Sequence, residues 1–167
     1  MVIVLMGVTG AGKTTVGERL ARDLGWEFHE ADDHHPPENK RKMKAGIPLT
    51  DEDRRPWLLA LRAVIEEALQ RQADAVVTCS ALRASYRHVL AGGLPDVRFV
   101  LLHGSRDVLA GRLAARADHF MNPALLDSQL ATLEPPADAL VVDVDQPPER
   151  QVAQIRDAFG LSAQPLR

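Results

Sequence analysis

The chain has 167 residues, 46% of them hydrophobic, a length that fills one compact domain rather than two. Its formal net charge of −3 gives no global basic field, so we do not expect nucleic-acid binding through phosphate contacts. The single cysteine, Cys79, excludes an internal disulfide and fits a reducing compartment. The apolar start, residues 2–6, is too short for a signal peptide or a membrane span, so we expect a cytoplasmic protein.

Short apolar runs alternate with amphipathic stretches along the chain, which is typical of βα units around a parallel sheet. Five runs are predicted to be strands buried on both faces, namely residues 2–6, 27–31, 75–79, 97–103 and 140–144. Two helices are predicted to cover the sheet, over residues 13–24 and 56–71. The predicted fold class is therefore α/β, with three α/β/α layers around a five-stranded parallel sheet.

Two further segments differ from this pattern. Residues 33–55 are highly charged and contain several prolines, and we predict that they form a substrate-binding lobe. Residues 109–134 carry spaced arginines followed by the start of a second short helix, and we predict that they form a mobile lid.

The first predicted strand runs into Gly7-Val8-Thr9-Gly10-Ala11-Gly12-Lys13-Thr14, which matches G-x-x-x-x-G-K-[ST] without a mismatch. The glycines let backbone N–H groups turn toward a β-phosphate, and Lys13 supplies a cation to the β- and γ-oxygens. Thr14 is the expected Mg²⁺ ligand. We therefore predict an ATP site built from this loop and the adjoining Thr15.

Two carboxylates, Glu30 and Asp32, follow the second predicted strand and point to the same side of an extended chain. They lie at the carboxyl end of a strand, where open α/β sheets bind ligands. A carboxylate there can hold a substrate hydroxyl, accept its proton, or order the Mg²⁺ shell through water. We assign the base to Asp32 and a supporting role to Glu30. His34 and His35 lack the spacing of a helical zinc pair, so we expect His35 to hydrogen-bond the substrate.

Several cations are placed to meet an anionic acceptor. Lys42 and Arg54 belong to basic runs in the lobe and suit a carboxylate or a phosphate. Arg83 and Arg87, four residues apart after the third strand, are predicted to clamp an anion together.

The lid carries Arg112 and Arg116, also four residues apart, which are predicted to deliver guanidinium groups to the transferring phosphate. The third strand has no terminal aspartate of the Walker B kind, so acidic help for Mg²⁺ is expected from Asp32 through water. That absence argues against a motor-type ATPase.

Together these residues resemble the gluconokinase family of small P-loop sugar-acid kinases, from Val2 to about Ile155. The blocks that carry the resemblance, besides the loop, are residues 31–36, 39–43, 46–49, 51–58, 79–82, 86–87, 119–120, 132–134 and 142–147. Two positions depart from the family pattern: Glu30 stands where aspartate is usual, and Arg83 where lysine is typical. Both keep the charge but change reach and geometry.

The resemblance implies a fold of the nucleoside-monophosphate-kinase type, ATP and Mg²⁺ as cofactors, D-gluconate as acceptor and 6-phospho-D-gluconate as product. It also implies a homodimer. Carried over residue by residue, it makes Asp32 the acceptor-site aspartate, His35 the following histidine and Arg116 the lid arginine, with Asp145, Gln146 and Pro147 bordering the adenine.

We therefore predict three groups of site residues. The catalytic residues are Lys13, Asp32 and Arg116. The nucleotide contacts are residues 7–15, Arg112, Arg116, Asp145, Gln146 and Pro147. The acceptor contacts are Glu30, Asp32, His35, Lys42, Arg54, Ser80, Arg83, Tyr86, Arg87, His119 and Gln129.

Two other functions remain open at this stage. One is a kinase of the same fold that acts on another polyhydroxy acid or on shikimate, because the loop and the lid do not say which hydroxyl receives the phosphate. The other is a regulator that holds ATP and transfers nothing.

Overall fold

The computed structural model describes residues 1–115 and 123–162, and a five-stranded parallel sheet lies at its centre. The strands are β1 (Val2–Met6), β2 (Glu27–Glu30), β3 (Ala75–Thr78), β4 (Val97–His103) and β5 (Leu140–Asp143). Their order in the sheet is β2-β3-β1-β4-β5. The predicted α/β class and all five predicted strands are confirmed, with three of them one residue shorter than expected.

The helices connect these strands and lie on both faces of the sheet. They are α1 (Lys13–Leu24), α2 (Pro37–Lys44), α3 (Asp51–Gln70), α4 (Ala84–Ala91), α5 (Arg106–Ala114), α6 (Pro123–Thr132) and α7 (Pro148–Phe159), with a 3₁₀ turn at Ala31–His34. The predicted lobe thus contains the 3₁₀ turn, α2 and the beginning of α3. The predicted lid contains α5 and α6.

Helix α3 begins five residues before its predicted start. Thr50 accepts a hydrogen bond from Asp53 N, and the Asp53 carboxylate accepts one from Thr50 N, so the two residues form a capping box. The predicted start at Pro56 was wrong because this box initiates the helix earlier and leaves Pro56 inside it.

Two apolar layers enclose the sheet. On one face, Ile3 and Leu5 pack with α1 and α7, and on the other, Val2, Val4 and Met6 pack with α3 and α4. Alternate side chains of β1 therefore serve both layers, as expected for a central strand.

Burial on both faces holds for β1 and β3, in which every residue is buried. It was wrong for β2 and β5, whose residues are mostly half-buried or exposed. Both are edge strands, where the covering helices leave part of each face open to solvent. No helix in the described part of the chain is long and apolar enough to cross a membrane.

The contact between α1 and the sheet gives a test of this packing. A Cβ atom at Gly17 in α1 would lie 2.8 Å from Phe28 Cε2 and 2.9 Å from Thr78 Cγ2. We expect Gly17→Ala to lower the free energy of unfolding by about 1–3 kcal/mol, because β2 and β3 must shift to admit the methyl group.

The matched control is Gly111→Ala in α5, where no described heavy atom outside its own helix lies within 4 Å of the new Cβ. That variant should be more stable by about 0.5–1 kcal/mol, since alanine favours a helix. Urea unfolding followed by circular dichroism compares the two, and equal effects would contradict the close approach at Gly17.

Candidate active site

The loop between β1 and α1 has the backbone that its sequence predicts. Gly7 has a φ of +144°, and a Cβ there would lie 2.6 Å from the Leu102 carbonyl oxygen, so this position requires glycine. Gly12, with a φ of +89°, leads into α1 and has no side chain to cap the first turn, which leaves its N–H groups available to an anion. Lys13 Nζ donates to the Val8 carbonyl at 3.1 Å, across the same loop.

A single carboxylate joins this loop to two strands. Thr14 Oγ1 donates to Glu30 Oε2 at 2.7 Å, and Thr78 Oγ1 donates to Glu30 Oε1. Glu30 lies opposite Thr78 in the β2–β3 register, and Thr78 is fully buried. Glu30 is therefore held beside the predicted Mg²⁺ ligand, Thr14. Thr78 was not predicted as a site residue, although it is the one hydroxyl at the end of an otherwise apolar strand.

These oxygen atoms suit Mg²⁺, which prefers hydroxyl, carboxylate and phosphate ligands. Within residues 1–115 and 123–162, the structure contains no group of three or more His, Cys, Asp or Glu side chains that could hold a metal ion. A magnesium ion beside Thr14 and Glu30 would therefore complete its shell with nucleotide phosphates and water.

Asp32 follows in the 3₁₀ turn, at the exposed edge of the same cluster. Partial loss of hydration in this partly exposed turn, together with the neighbouring Glu30 carboxylate, raises the pKa of Asp32 above its usual value, while the Lys13 ammonium opposes this shift. Asp32 thus shares one electrostatic environment with the phosphate-loop lysine, as a base near the transferring group would.

Trp57 contacts both ends of the turn that carries Asp32, at Ala31 and at His35. Its Nε1 donates to the Ala31 carbonyl at 2.7 Å, and its ring stacks on His35 with centroids 4.2 Å apart. Burial, with Arg54 and Lys40 nearby, lowers the pKa of His35 to about 4, so the imidazole is neutral at physiological pH. His35 is only 7% exposed and packs under the turn; its contact with the acceptor stays a prediction.

Three predicted acceptor residues converge on one carboxylate of the protein itself. Tyr86 Oη donates to Asp51 Oδ1, Arg83 Nη1 donates to Asp51 Oδ2 at 3.3 Å, and Arg54 Nη1 lies 4.0 Å from Asp51 Oδ1. Arg54 and Arg83 also lie over the Tyr86 ring, 5.8 and 5.9 Å from its centroid. This cluster can bind a carboxylate. Asp51 was not predicted as a site residue, although it begins one of the blocks that carry the family resemblance, residues 51–58.

The predicted Arg83–Arg87 clamp is not formed. Arg83 is the residue before α4 and has an extended backbone, so the two are not neighbours on one helical face. Arg87 instead donates to the carbonyls of Ala81 and Leu82, at 3.0 and 3.3 Å. It holds a segment in which Ala81 has a φ of +43°, an unfavourable conformation for alanine.

Lys42 and Ser80 also have partners within the protein. Lys42 Nζ pairs with Asp53 Oδ1 at 2.7 Å, and this contact, with the Thr50 N–H, lowers the pKa of Asp53 to about 2. The lysine therefore joins α2 to α3 rather than standing unpaired toward the acceptor. The Ser80 carbonyl accepts from Gly7 N at 3.3 Å, which places Ser80 beside the phosphate loop.

The helices of the predicted lid, α5 and α6, contact the segment after β5 and the phosphate loop. Arg112 donates to the Val144 carbonyl, and Gln129 Oε1 accepts from Thr9 N at 2.7 Å. Gln129, predicted to contact the acceptor, thus contacts the phosphate loop in this structure. The predicted Arg116 and His119 lie outside the described residues.

A cavity of about 260 Å³ opens between the phosphate loop and the start of α7. It is lined by Gly10, Gly12, Thr15, Val16, Arg112, Ala115, Pro148 and Gln151. The lining does not include the residues predicted to border the adenine, Asp145, Gln146 and Pro147. It includes Pro148 and Gln151, which follow them in the chain.

The support under Asp32 gives a test that separates position from folding. Trp57→Phe keeps an aromatic ring for His35 but leaves the buried Ala31 carbonyl without its donor, so we expect a loss of about 1–3 kcal/mol in unfolding free energy. The turn then shifts Asp32, so kcat for ATP-dependent transfer should fall about tenfold while ATP affinity is kept.

Trp26→Phe is the matched control, because Trp26 is partly buried against the apolar layer on the opposite face of the sheet. It should leave kcat within about twofold of the parent value. If both variants keep full turnover, Trp57 does not position Asp32.

Comparison with known proteins identifies relatives of this site and fold. Residues 2–136 match the protein family described as "AAA domain". A gluconokinase from Gluconobacter oxydans is 51% identical over 136 residues, covering 81% of this chain and 76% of its own length. The crystal structure of a gluconokinase from Sinorhizobium meliloti superposes with a TM-score of 0.79 at 46% identity, covering 95% of this chain and 94% of the other.

A more distant structure, a shikimate kinase from Bacteroides thetaiotaomicron, is 19% identical with a TM-score of 0.71, over 96% of this chain and 99% of its own. At that identity it shares the fold alone. With the phosphate loop and the Glu30–Asp32 carboxylates at the end of β2, the closer similarities show that this chain belongs to the gluconokinase family of P-loop kinases.

Proposed function

We propose that this protein transfers the γ-phosphoryl group of ATP to D-gluconate, giving 6-phospho-D-gluconate and ADP. The observation that carries the proposal is the contact between Thr14 of the phosphate loop and Glu30, at the end of the strand that leads into Asp32. This brings a candidate base into the field of the cation that would hold the β- and γ-oxygens.

In the proposed reaction, the 6-hydroxyl oxygen of gluconate attacks the γ-phosphorus as its proton passes to the Asp32 carboxylate. The bond between the γ-phosphorus and the β–γ bridging oxygen breaks, and ADP leaves with that electron pair. Lys13 and the N–H groups at the start of α1 stabilise the negative charge on the phosphate oxygens. Arg116 is proposed to add a guanidinium from the lid.

Thr14 and Glu30 are the residues proposed to hold Mg²⁺, Thr14 directly and Glu30 through water, with Asp32 as a second water-mediated contact. The ion, when bound, would neutralise charge between the β- and γ-phosphates. The support is the pair of oxygen donors that the Thr14–Glu30 contact brings together beside the loop.

The carboxylate of gluconate is proposed to bind Arg83, Arg54 and Tyr86. The support is that in this structure the same groups contact a carboxylate of the protein itself, that of Asp51. The Arg83–Asp51 pair is exposed, so an incoming acid can compete with it at modest cost. Arginine in place of the usual lysine offers this carboxylate a planar fork.

Resemblance to the family also supports a homodimer in the cytoplasm, with each chain acting as a single kinase domain.

An acceptor panel in a coupled ADP-release assay tests the proposal. We expect kcat/KM for D-gluconate to exceed that for D-glucitol, which lacks the carboxylate, and that for shikimate by about a hundredfold or more. Arg83→Gln should raise the KM for gluconate about tenfold and leave glucitol unchanged, with the exposed Arg98→Gln on β4 as control. Preference for shikimate would support the first rival, and ATP binding with no acceptor turned over would support the regulator.

Asp32→Asn tests the base. We expect kcat to fall about 10²- to 10⁴-fold with ATP affinity kept, because the amide cannot take the proton. In the parent protein, kcat/KM should fall as pH drops through the raised pKa of Asp32, since the base acts when ionised.

The same raised pKa fixes a stability effect. Ionised Asp32 is less favourable in the folded state, so its contribution to stability is present below its unfolded pKa and is lost as pH rises through the folded pKa. Asp32→Asn should therefore raise the Tm at pH 7 and have little effect below about pH 3.8, where the parent residue is also neutral.

Asp33→Asn is the control for both the Tm and the kcat of Asp32→Asn. Near-normal turnover in Asp32→Asn would exclude Asp32 as the base.

A further inference from the structure

The buried amide of Gln151 has one half satisfied and the other half not. Its Nε2 donates to the Gln146 carbonyl at 2.7 Å and to the Val144 carbonyl at 3.4 Å. Both neighbours are acceptors, so the amide cannot be turned round without placing oxygen against oxygen. Its Oε1 has no hydrogen-bond partner among the described residues, although the side chain is fully buried.

Buried carbonyl oxygens in proteins nearly always accept a hydrogen bond, because they have lost their water. Burial of a glutamine side chain is unfavourable in free energy when only one of its two polar atoms forms hydrogen bonds. The protein keeps Gln151 at the start of α7 despite this cost. A donor from outside the chain would complete the amide.

Gln151 lines the cavity beside the phosphate loop, where such a donor can arrive. The same cavity is lined by residues of the phosphate loop and the start of α1, namely Gly10, Gly12 and Thr15. A nucleotide with its phosphates in the loop would therefore place its base next to Gln151. The cavity volume of about 260 Å³ leaves room for a purine ring.

Arg112 is the charged residue of the cavity wall beside this amide. It donates to the Val144 carbonyl, which Gln151 Nε2 also contacts, so the guanidinium lies next to the amide at the cavity wall. Arg112 belongs to lid helix α5, and its departure from Val144 would open this end of the cavity to a base.

We infer that Gln151 Oε1 accepts a hydrogen bond from the 6-amino group of adenine and thereby selects adenine over guanine nucleotides. Adenine presents an N–H donor at position 6, whereas guanine presents a carbonyl oxygen there. A guanine base would place two acceptors against each other and leave Gln151 unsatisfied. The inference deepens the proposed function by naming what selects the nucleotide, and it does not depend on which acceptor is phosphorylated.

Isothermal titration with ADP and GDP, without acceptor, tests the inference. We expect the parent protein to bind ADP at least about tenfold more tightly than GDP. Gln151→Met, which keeps the length of the side chain and removes the acceptor, should weaken ADP about fivefold to tenfold and tighten GDP, because the two opposed carbonyl oxygens are no longer both present. Gln154→Met, on the same helix but outside this cavity, should keep the parent preference.

Base analogues keep the inference testable if Gln151→Met does not fold. With the parent protein, inosine diphosphate, which carries a 6-carbonyl, should bind as weakly as GDP. Purine riboside diphosphate, which has neither group, should bind between ADP and GDP. Equal affinity for all four nucleotides would overturn the inference, as would an unchanged ADP preference in a folded Gln151→Met protein.

The two proposals fail separately. Loss of ADP selectivity with full gluconate turnover would remove the role of Gln151 alone. Selective ADP binding with no gluconate turnover would remove the proposed acceptor and keep the role of Gln151. No detectable binding of either nucleotide would overturn both.

Discussion

The carboxylate of Glu30, held between Thr14 and Thr78, is the contact on which the rest of the site depends. It joins the phosphate loop, β2 and β3 at the carboxyl edge of the sheet, where parallel strands end together. A shift of one residue in β2 would turn Glu30 to the opposite face and move Asp32 with it. The position of the candidate base therefore depends on the strand register as well as on the turn that carries it.

The Glu30 side chain joins two separate elements of the site. Its two oxygens reach different elements, one the loop threonine and the other a buried strand threonine. The carboxylate is consequently shared between positioning and any metal contact. A second layer of support, the Trp57 hydrogen bond to Ala31, fixes the turn that follows.

Several charged residues of the predicted lobe, residues 33–55, pair with other residues of the protein. Lys42 and Asp53 join α2 to α3, and Asp51 joins α3 to the start of α4 through Arg83 and Tyr86. The lobe thus carries its own carboxylate in the place where we propose that the acceptor's carboxylate binds. On the other side of the cleft, Gln129 of the predicted lid contacts the phosphate loop, and Arg112 contacts the segment after β5. The elements proposed to bind the two reactants therefore already contact one another.

The sequence by itself determined the parallel α/β sheet, helix α1, the phosphate loop and the carboxylates after β2. Each of these depends on local signals, namely apolar periodicity, glycine spacing and a motif of contiguous residues. It also placed the chain among the gluconokinases, because the matching blocks retain their order and spacing.

Only the tertiary structure decided which charged and polar residues face which partners. Lys42 and Arg87 look like acceptor ligands in the sequence, yet they bind Asp53 and the carbonyls of residues 81 and 82. Trp57 reads as part of an apolar helical stripe, and its hydrogen bond to Ala31 spans 26 residues. Such pairings depend on how strands and helices pack in space, and a local sequence pattern carries no information about that packing. For the same reason, only the structure reveals that the buried amide of Gln151 lacks a partner for its oxygen.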